Sequence, residues 1–414
     1  MREIQELLEA ELQAMPVLIL AHMVRAKFAA QNHKISQRTS ERIARQIAAG
    51  RANGRIWLWN FWRNTKIDFT DEDLALLEEK VQAVLDDELG TLLSETTDRI
   101  SDDFLHKSRK VWERQLRLEA RDRAAFDRRL QKRWHKPLDS LRLLLGISRE
   151  FGADFAAEVY PALAAEKPYL ADILFRSQAR ACQVGEAVVT LLSHGFADDA
   201  MARWRSLHEI GATMTLLTEH GEALAERYVL HQYADKQRSM DDYAVCVREW
   251  GYEPMAPEVI EAIKRGLADG VARFGPSFKG WYGWAAEQLG KANPTFRDIE
   301  EAAGRAAWRA TYKMASKNVH AGAAAIYNSL GMLGQTTTAL AGPSNAGLAD
   351  PGHATALALI NVNMSLFPFF QTADSHVFAK IMNKLADEIG AQFLEAQQQL
   401  QNDENRYHSR GPNG

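Results

Sequence analysis

The chain has 414 residues, 46% of them hydrophobic and 25% charged, with a net charge of −4. Such a length suffices for roughly two or three domains and a large core. The near-neutral balance excludes a protein drawn to nucleic acid by its overall field, though a local basic patch stays open. Only Cys182 and Cys246 are present, which excludes a disulfide framework and reads as two free thiols in a reducing cytoplasm. No Cys/His spacing fits zinc, so neither a metal nor another cofactor is expected.

In chain order, the first residues, Met1 to Glu6, are acidic and amphipathic and lack the basic start and apolar run of a signal peptide. Strand-like alternation hardly occurs, whereas helical spacing recurs almost everywhere, so the fold is expected to be all-α. Lys34 to Arg55 is basic and lies close to Trp57, Trp59 and Trp62. Thr70 to Asp73 has the form of a capping box and opens a helix with Leu74, Leu77, Val81, Val84 and Leu92 on one stripe. This helix, placed at 71–98, offers a short coiled-coil-like seam for a homo-oligomer. Ser101-Asp102-Asp103 reads as the start of the next helix.

Residues 107–136 carry twelve Lys/Arg against four Asp/Glu. Arg114, Arg117, Arg121, Arg128 and Arg129 alternate there with Trp112, Leu116, Phe126, Leu130 and Trp134. Two readings stand side by side: a solvated helix whose apolar stripe packs on the next domain, or a surface that meets RNA through its phosphates. We set a boundary near residue 136. A charged helical arm (1–135) precedes a bundle of seven or eight helices (136–400), and a polar tail follows (401–414), expected to fray from Gln398 on.

Within the bundle, Pro168 suits a first helical turn, Gly195 a helix end, and Asp198 the cap of the following helix. Gly251 to Pro257 is a loop, Gly275-Pro276 precedes an aromatic knot of Phe278, Trp281, Tyr282 and Trp284, and Thr295-x-x-Asp298 caps another helix. Ala341 to Gly352 is expected to be turns throughout. The apolar stretch from Ala354 to Phe370 is interrupted by Asn361, Asn363, Ser365 and Pro368. It is too short and too polar to span a membrane and reads as a buried core helix.

Two motifs hint at chemistry. In Arg203-Trp204-Arg205-Ser206-Leu207-His208-Glu209, Arg205 and Glu209 lie four apart and can pair on one helix face, among neighbours made for burial. In the second, Arg309, Tyr312, Ser316 and His320 follow at spacings of three, four and four and form one stripe, continued by the small residues from Ala321 to Ala325. A histidine beside a hydroxyl is either a general acid or base with its partner or a buried group satisfied by it. No carboxylate follows His320 at a local spacing that would make a Ser-His-Asp triad.

The two motifs resemble a bacterial family known as domain of unknown function 5677. The resemblance runs over roughly residues 135 to 355. It rests on Trp134 with Pro137-Leu138-Asp139-x-Leu141, on Gly195-x(4)-Ala200-x(3)-Trp204-Arg205-Ser206-Leu207-x-Glu209, on Tyr312-x(3)-Ser316-x-x-Val319-His320 and on Gly342-Pro343-Ser344. It implies an all-helical domain and brings no reaction or ligand with it. His208 departs from the apolar aromatic expected there. A more distant likeness, of helical architecture only, is to the HEPN superfamily of helical ribonucleases, which use Arg-x(4–6)-His. Four such spacings occur here, among them Arg203–His208, about what chance gives for this many arginines and histidines.

Two functions remain open. In one, the chain is a non-catalytic binding or interaction module with a buried Arg/Glu/Tyr/Ser/His network. In the other, it is a metal-independent HEPN-like ribonuclease of a toxin or phage-defence system. There His320 would move the proton of a ribose hydroxyl, with Arg205, Glu209, Tyr312 and Ser316 around the phosphate and the basic segment 107–136 holding RNA.

Overall fold

The computed structural model describes residues 2–31, 33–49, 55–56, 67–68, 70–83, 89–320, 323–333, 339–370 and 372–409. It is all-α apart from one antiparallel pair of two-residue strands, β1 (Arg55–Ile56) and β2 (Ile67–Asp68), with Ile56 opposite Ile67. The chain divides into two compact units, Met1–Asp122 and Arg123–Gly414.

The first unit holds α1 (Arg2–Ala30), α2 (Gln37–Ala48), α3 (Asp71–Ala83) and the beginning of α4 (Leu89–Asp154). Ser36 caps α2, its hydroxyl accepting the N–H of Thr39 at 3.3 Å. Val24 and Phe28 of α1 close on Ile43 of α2 in a small core. Lys27 of α1 donates to Asp73 of α3 at 2.5 Å. Lys27, followed by the Thr70 N–H, holds that carboxyl below its ordinary value. Of the helix expected over 71–98, Asp71–Ala83 and the stretch from Leu89 on are helical; residues 84–88, Val84 among them, lie outside the described residues, as do Trp57, Trp59 and Trp62.

Helix α4 does not begin at Ser101. Ser101, Asp102 and Asp103 sit inside it with exposed side chains, which water satisfies in place of a helix start. Trp112 and Leu116 are exposed, whereas Leu130 and Trp134 are fully buried, so only the later part of the expected apolar stripe is core. The helix also runs on through Pro137.

The second unit continues α4 through a π-helical turn (Phe155–Val159) into α5 (Tyr160–Glu166). There follow α6 (Pro168–Ser193), α7 (Ala197–His220), α8 (Glu222–Leu230), α9 (Gln232–Trp250) and α10 (Pro257–Phe274). The remaining helices are α11 (Phe296–Ala302), α12 (Arg309–Val319), α13 (Ala323–Tyr327), α14 (Ala349–Met364) and α15 (Ala373–Ser409). This exceeds seven or eight because short breaks divide long helical stretches. Gly221 ends α7 at φ 71°, a left-handed backbone that glycine adopts without strain. Among the described residues no helix is long and apolar enough to cross a membrane.

One continuous core joins α4, α6, α7, α14 and α15, with Leu130, Trp134, Leu138, Leu141 and Leu144 of α4 on one buried stripe. The residues carrying the family resemblance are its fasteners. Trp134 Nε1 donates to the Asn345 carbonyl at 3.0 Å and Trp204 Nε1 to that of Ala354 at 2.9 Å. Ser344 N donates to the carbonyl of Gly195 at 2.9 Å. Asp198 is in the first turn of α7 rather than at its cap. Its carboxylate takes the backbone N–H of Leu330 at 3.0 Å, the Ser329 hydroxyl and Asn318 Nδ2, tying down the chain after α13.

Two expectations for turns and tail are corrected. Ala349 to Gly352 form the first turn of α14, where Pro351 forfeits no helical hydrogen bond. The polar tail stays helical to Ser409, and Arg133 NH2 meets Asp403 Oδ2 at 2.6 Å. At Gly352 of α14 there is no room for a side chain, since a Cβ there would lie 2.1 Å from the ring of buried Phe393 of α15. Gly352→Ala is therefore expected to cost about 1–3 kcal/mol by overpacking. Urea unfolding measures this, and combining it with Phe393→Leu should cost less than the sum of the two single changes.

Candidate functional site

Helix α7 places two adjacent stripes on its face toward α11 and α12. On the first, Trp204 and His208 stack with ring centroids 5.1 Å apart. On the second, Arg205 Nε donates to Glu209 Oε1 at 2.8 Å, a half-buried pair at i and i+4.

Tyr312 of α12 completes the second stripe. Its hydroxyl donates to Glu209 Oε1 at 2.6 Å and accepts from Arg205 Nε at 2.9 Å. Arg205 and Arg309 both lie over its ring, 5.0 and 5.2 Å from the centroid. Burial, and then the Glu209 carboxylate, push the Tyr312 phenol far above its ordinary value, so it stays a donor. Burial weakens the Arg205 charge but Glu209 more than restores it, and the guanidinium is held above its usual range.

The first stripe ends on a group the sequence reading passed over. Glu300 of α11 has no exposed surface. Its Oε1 meets His208 Nε2 at 2.9 Å, and its Oε2 accepts from Arg309 NH1 at 3.1 Å. Burial pulls the His208 pKa down, against the opposing pull of Glu300. We therefore assign a neutral imidazole with its proton on Nε2, facing the carboxylate. The departure from the family pattern at His208 thus has a partner. The signal for Glu300 was present in Phe296, Ile299, Glu300 and Ala303, whose helical spacing puts the carboxylate on the buried side of a short helix.

Behind Glu209 opens a cleft of about 820 Å³ between α6, α7, the α8–α9 junction and the turn around Tyr282 and Trp284. Arg176 and Arg180 stand on its α6 side, and Tyr228 and Asp235 on the α8–α9 side. His231, also lining it, is buried and meets the Gly280 carbonyl through Nε2 at 2.7 Å; burial lowers its pKa. Burial raises the phenols of Tyr228 and Tyr282. A second hollow of about 570 Å³ lies between α12, α14 and α15, lined by Trp308, Asp350, His353 and Asp387. Among the described residues no three His, Cys, Asp or Glu side chains gather as a metal-binding group.

Of the residues singled out in the sequence, Arg205, Glu209 and Tyr312 come together. Ser316 turns its hydroxyl back to the Tyr312 carbonyl, 2.8 Å away. His320 does not continue the stripe, because α12 ends at Val319. His320 is exposed, with an extended backbone at φ −106° and ψ 134°. Ala321 and Gly322 lie outside the described residues. Arg114, Arg117, Arg121, Arg128 and Arg129 are all exposed on α4.

Residues 171–336 fit a family of unknown function, DUF5677. The matched stretch covers both motifs and every wall of the larger cleft, and is narrower at each end than the span of the motifs quoted above. Nothing matches among curated proteins or solved structures.

The buried cluster makes stability fall in acid. Above pH 6.5 His208 is mainly neutral in both the folded and the unfolded state. Below it the unfolded chain binds a proton that the fold resists, so stability is lost as pH falls from 6.5 toward the lowered folded value. Melting temperature is expected to drop between pH 7 and pH 5, and His208→Gln to flatten part of that slope. His208→Phe leaves Glu300 Oε1 without a donor and is expected to cost about 1–3 kcal/mol at pH 7, read by denaturant unfolding.

Proposed function

We propose that this chain is a non-catalytic helical binding module whose ligand site is the cleft bordered by α6, α7 and the α8–α9 junction. The observation that carries this reading is Glu209. One of its oxygens is locked by Arg205 and Tyr312, while Glu209 lines the cleft. A side chain held from behind in this way is preorganised to receive a ligand group. Catalysis finds less support. His320 is exposed beyond the end of α12, and the two buried histidines are each committed to a fixed partner.

The test uses the wild-type chain and Thr213→Trp, which fills the cleft from its α7 wall. A small-molecule library is screened by thermal shift. Ligands that stabilise the wild type and leave Thr213→Trp unmoved are expected, with about 2.7 kcal/mol gained at a hundred times Kd. RNA cut without metal by the wild type, and left intact by His320→Ala, would overturn this in favour of the ribonuclease.

A second reading concerns RNA as a partner. Among the described residues, none of Arg114, Arg117, Arg121, Arg128 and Arg129 pairs with a carboxylate, so all remain available to phosphates. Fluorescence anisotropy with a single-stranded RNA should show binding that weakens steeply with salt. Replacing Arg114, Arg117 and Arg121 by Ala should reduce the slope of log K against log salt by about two. An unchanged slope would end this reading.

A further inference from the structure

The chemistry of the cleft narrows the ligand. Among the described residues, Glu209 Oε2 accepts no hydrogen bond, while Oε1 takes both Arg205 and Tyr312. The Glu209 side chain is 33% exposed, so its second oxygen is open to the cleft without a protein partner. Tyr228, Tyr282 and Trp284 line the same space, with Tyr228 and Trp284 edge to face at 5.0 Å. Both phenols are neutral near pH 7, and burial raises them further, so they present ring faces and hydroxyls rather than charge.

The arginines on the opposite wall make weaker demands. The Arg176 side chain is 70% exposed and its Nε already meets both oxygens of Asp172, at 2.8 and 2.9 Å. Arg180 is exposed and donates to Gln183. Asp235 adds a further carboxylate at the rim, with one oxygen engaged by Arg238. The half-buried group still short of a partner is thus an acceptor flanked by aromatic rings. An N–H-bearing cation answers both features, by a charge-assisted hydrogen bond and by cation–π contact.

We propose that the cleft binds a primary ammonium ligand, with Glu209 Oε2 as its acceptor and Tyr228, Tyr282 and Trp284 around the cation and its methylene stem. This rests on the reading of the cleft as a ligand site. Asp235 gives a second ammonium of a polyamine a place at the rim.

Titration calorimetry on the full chain tests it, with spermidine, butylammonium, tetramethylammonium and butyrate as probes. Spermidine and butylammonium should saturate. Tetramethylammonium, lacking an N–H, should bind about tenfold more weakly, and butyrate should not bind. Glu209→Gln keeps an oxygen for Arg205 and Tyr312 and should weaken spermidine by about tenfold or more, with an unchanged circular-dichroism melt. Thr213→Trp should abolish the signal. Equal affinity in Glu209→Gln, or binding that survives Thr213→Trp, overturns the proposal. If amines fail while another molecule stabilises the wild type and spares Thr213→Trp, the ammonium class falls and the cleft stands. If no molecule distinguishes the wild type from Thr213→Trp, both fall.

Discussion

A carboxylate with no exposed surface, Glu300, sets the terms for the centre of the second unit. Removing such a group from water carries a large desolvation cost, which is tolerable only when both oxygens are met. The His208 N–H meets one and Arg309 the other. Losing the charged partner Arg309 typically costs about 3–5 kcal/mol and losing the neutral His208 donor about 1–3 kcal/mol, so the arrangement admits little slack. It forces α7, α11 and the start of α12 into one relation, because each supplies one of the three groups.

The cleft depends on that relation. Arg309 lies over Tyr312 as well as against Glu300, so the clasp that satisfies the carboxylate also positions the phenol. Tyr312 in turn holds Glu209 together with Arg205. The chain of contacts runs from a sealed, neutral histidine to a half-open carboxylate on a ligand-sized cleft. The sealed end contributes position; in the reading proposed above, the open end contributes recognition. His208 is shut off from solvent, and His320 stands outside the cluster.

Much of this was legible from residue spacing. The all-α fold follows from helical periodicity, and the pairing of Arg205 with Glu209 and their approach to Tyr312 follows from stripes that need burial. The capping box at Thr295 and Asp298 also stands where the sequence placed it, with the Thr295 N–H 2.7 Å from Asp298 Oδ2. What spacing could not supply was where helices stop. His320 sits one position beyond the end of α12, so a stripe extrapolated by four residues missed the cluster. Ser101 to Asp103 resemble a helix start but lie in solvent within α4, where a capping preference has nothing to act on. Asp198 found backbone N–H groups around residue 330, a pairing across the chain that no local rule contains. For Glu300 the buried stripe of α11 was legible, but its partners, 92 and 9 residues away, were not, and without them a charged residue there went unread.

The ring nitrogens of His208 report on the central claim most directly. Nitrogen-15 correlation spectra of the full chain, with His208 assigned by its absence in His208→Gln, give both tautomer and protonation state between pH 5 and 7.5. A neutral ring protonated at Nε2, titrating below 6.5, is the predicted result. A His208 that titrates at or above 6.5, or that carries its proton on Nδ1, would contradict the clasp on Glu300 and with it the positioning of Tyr312 and Glu209.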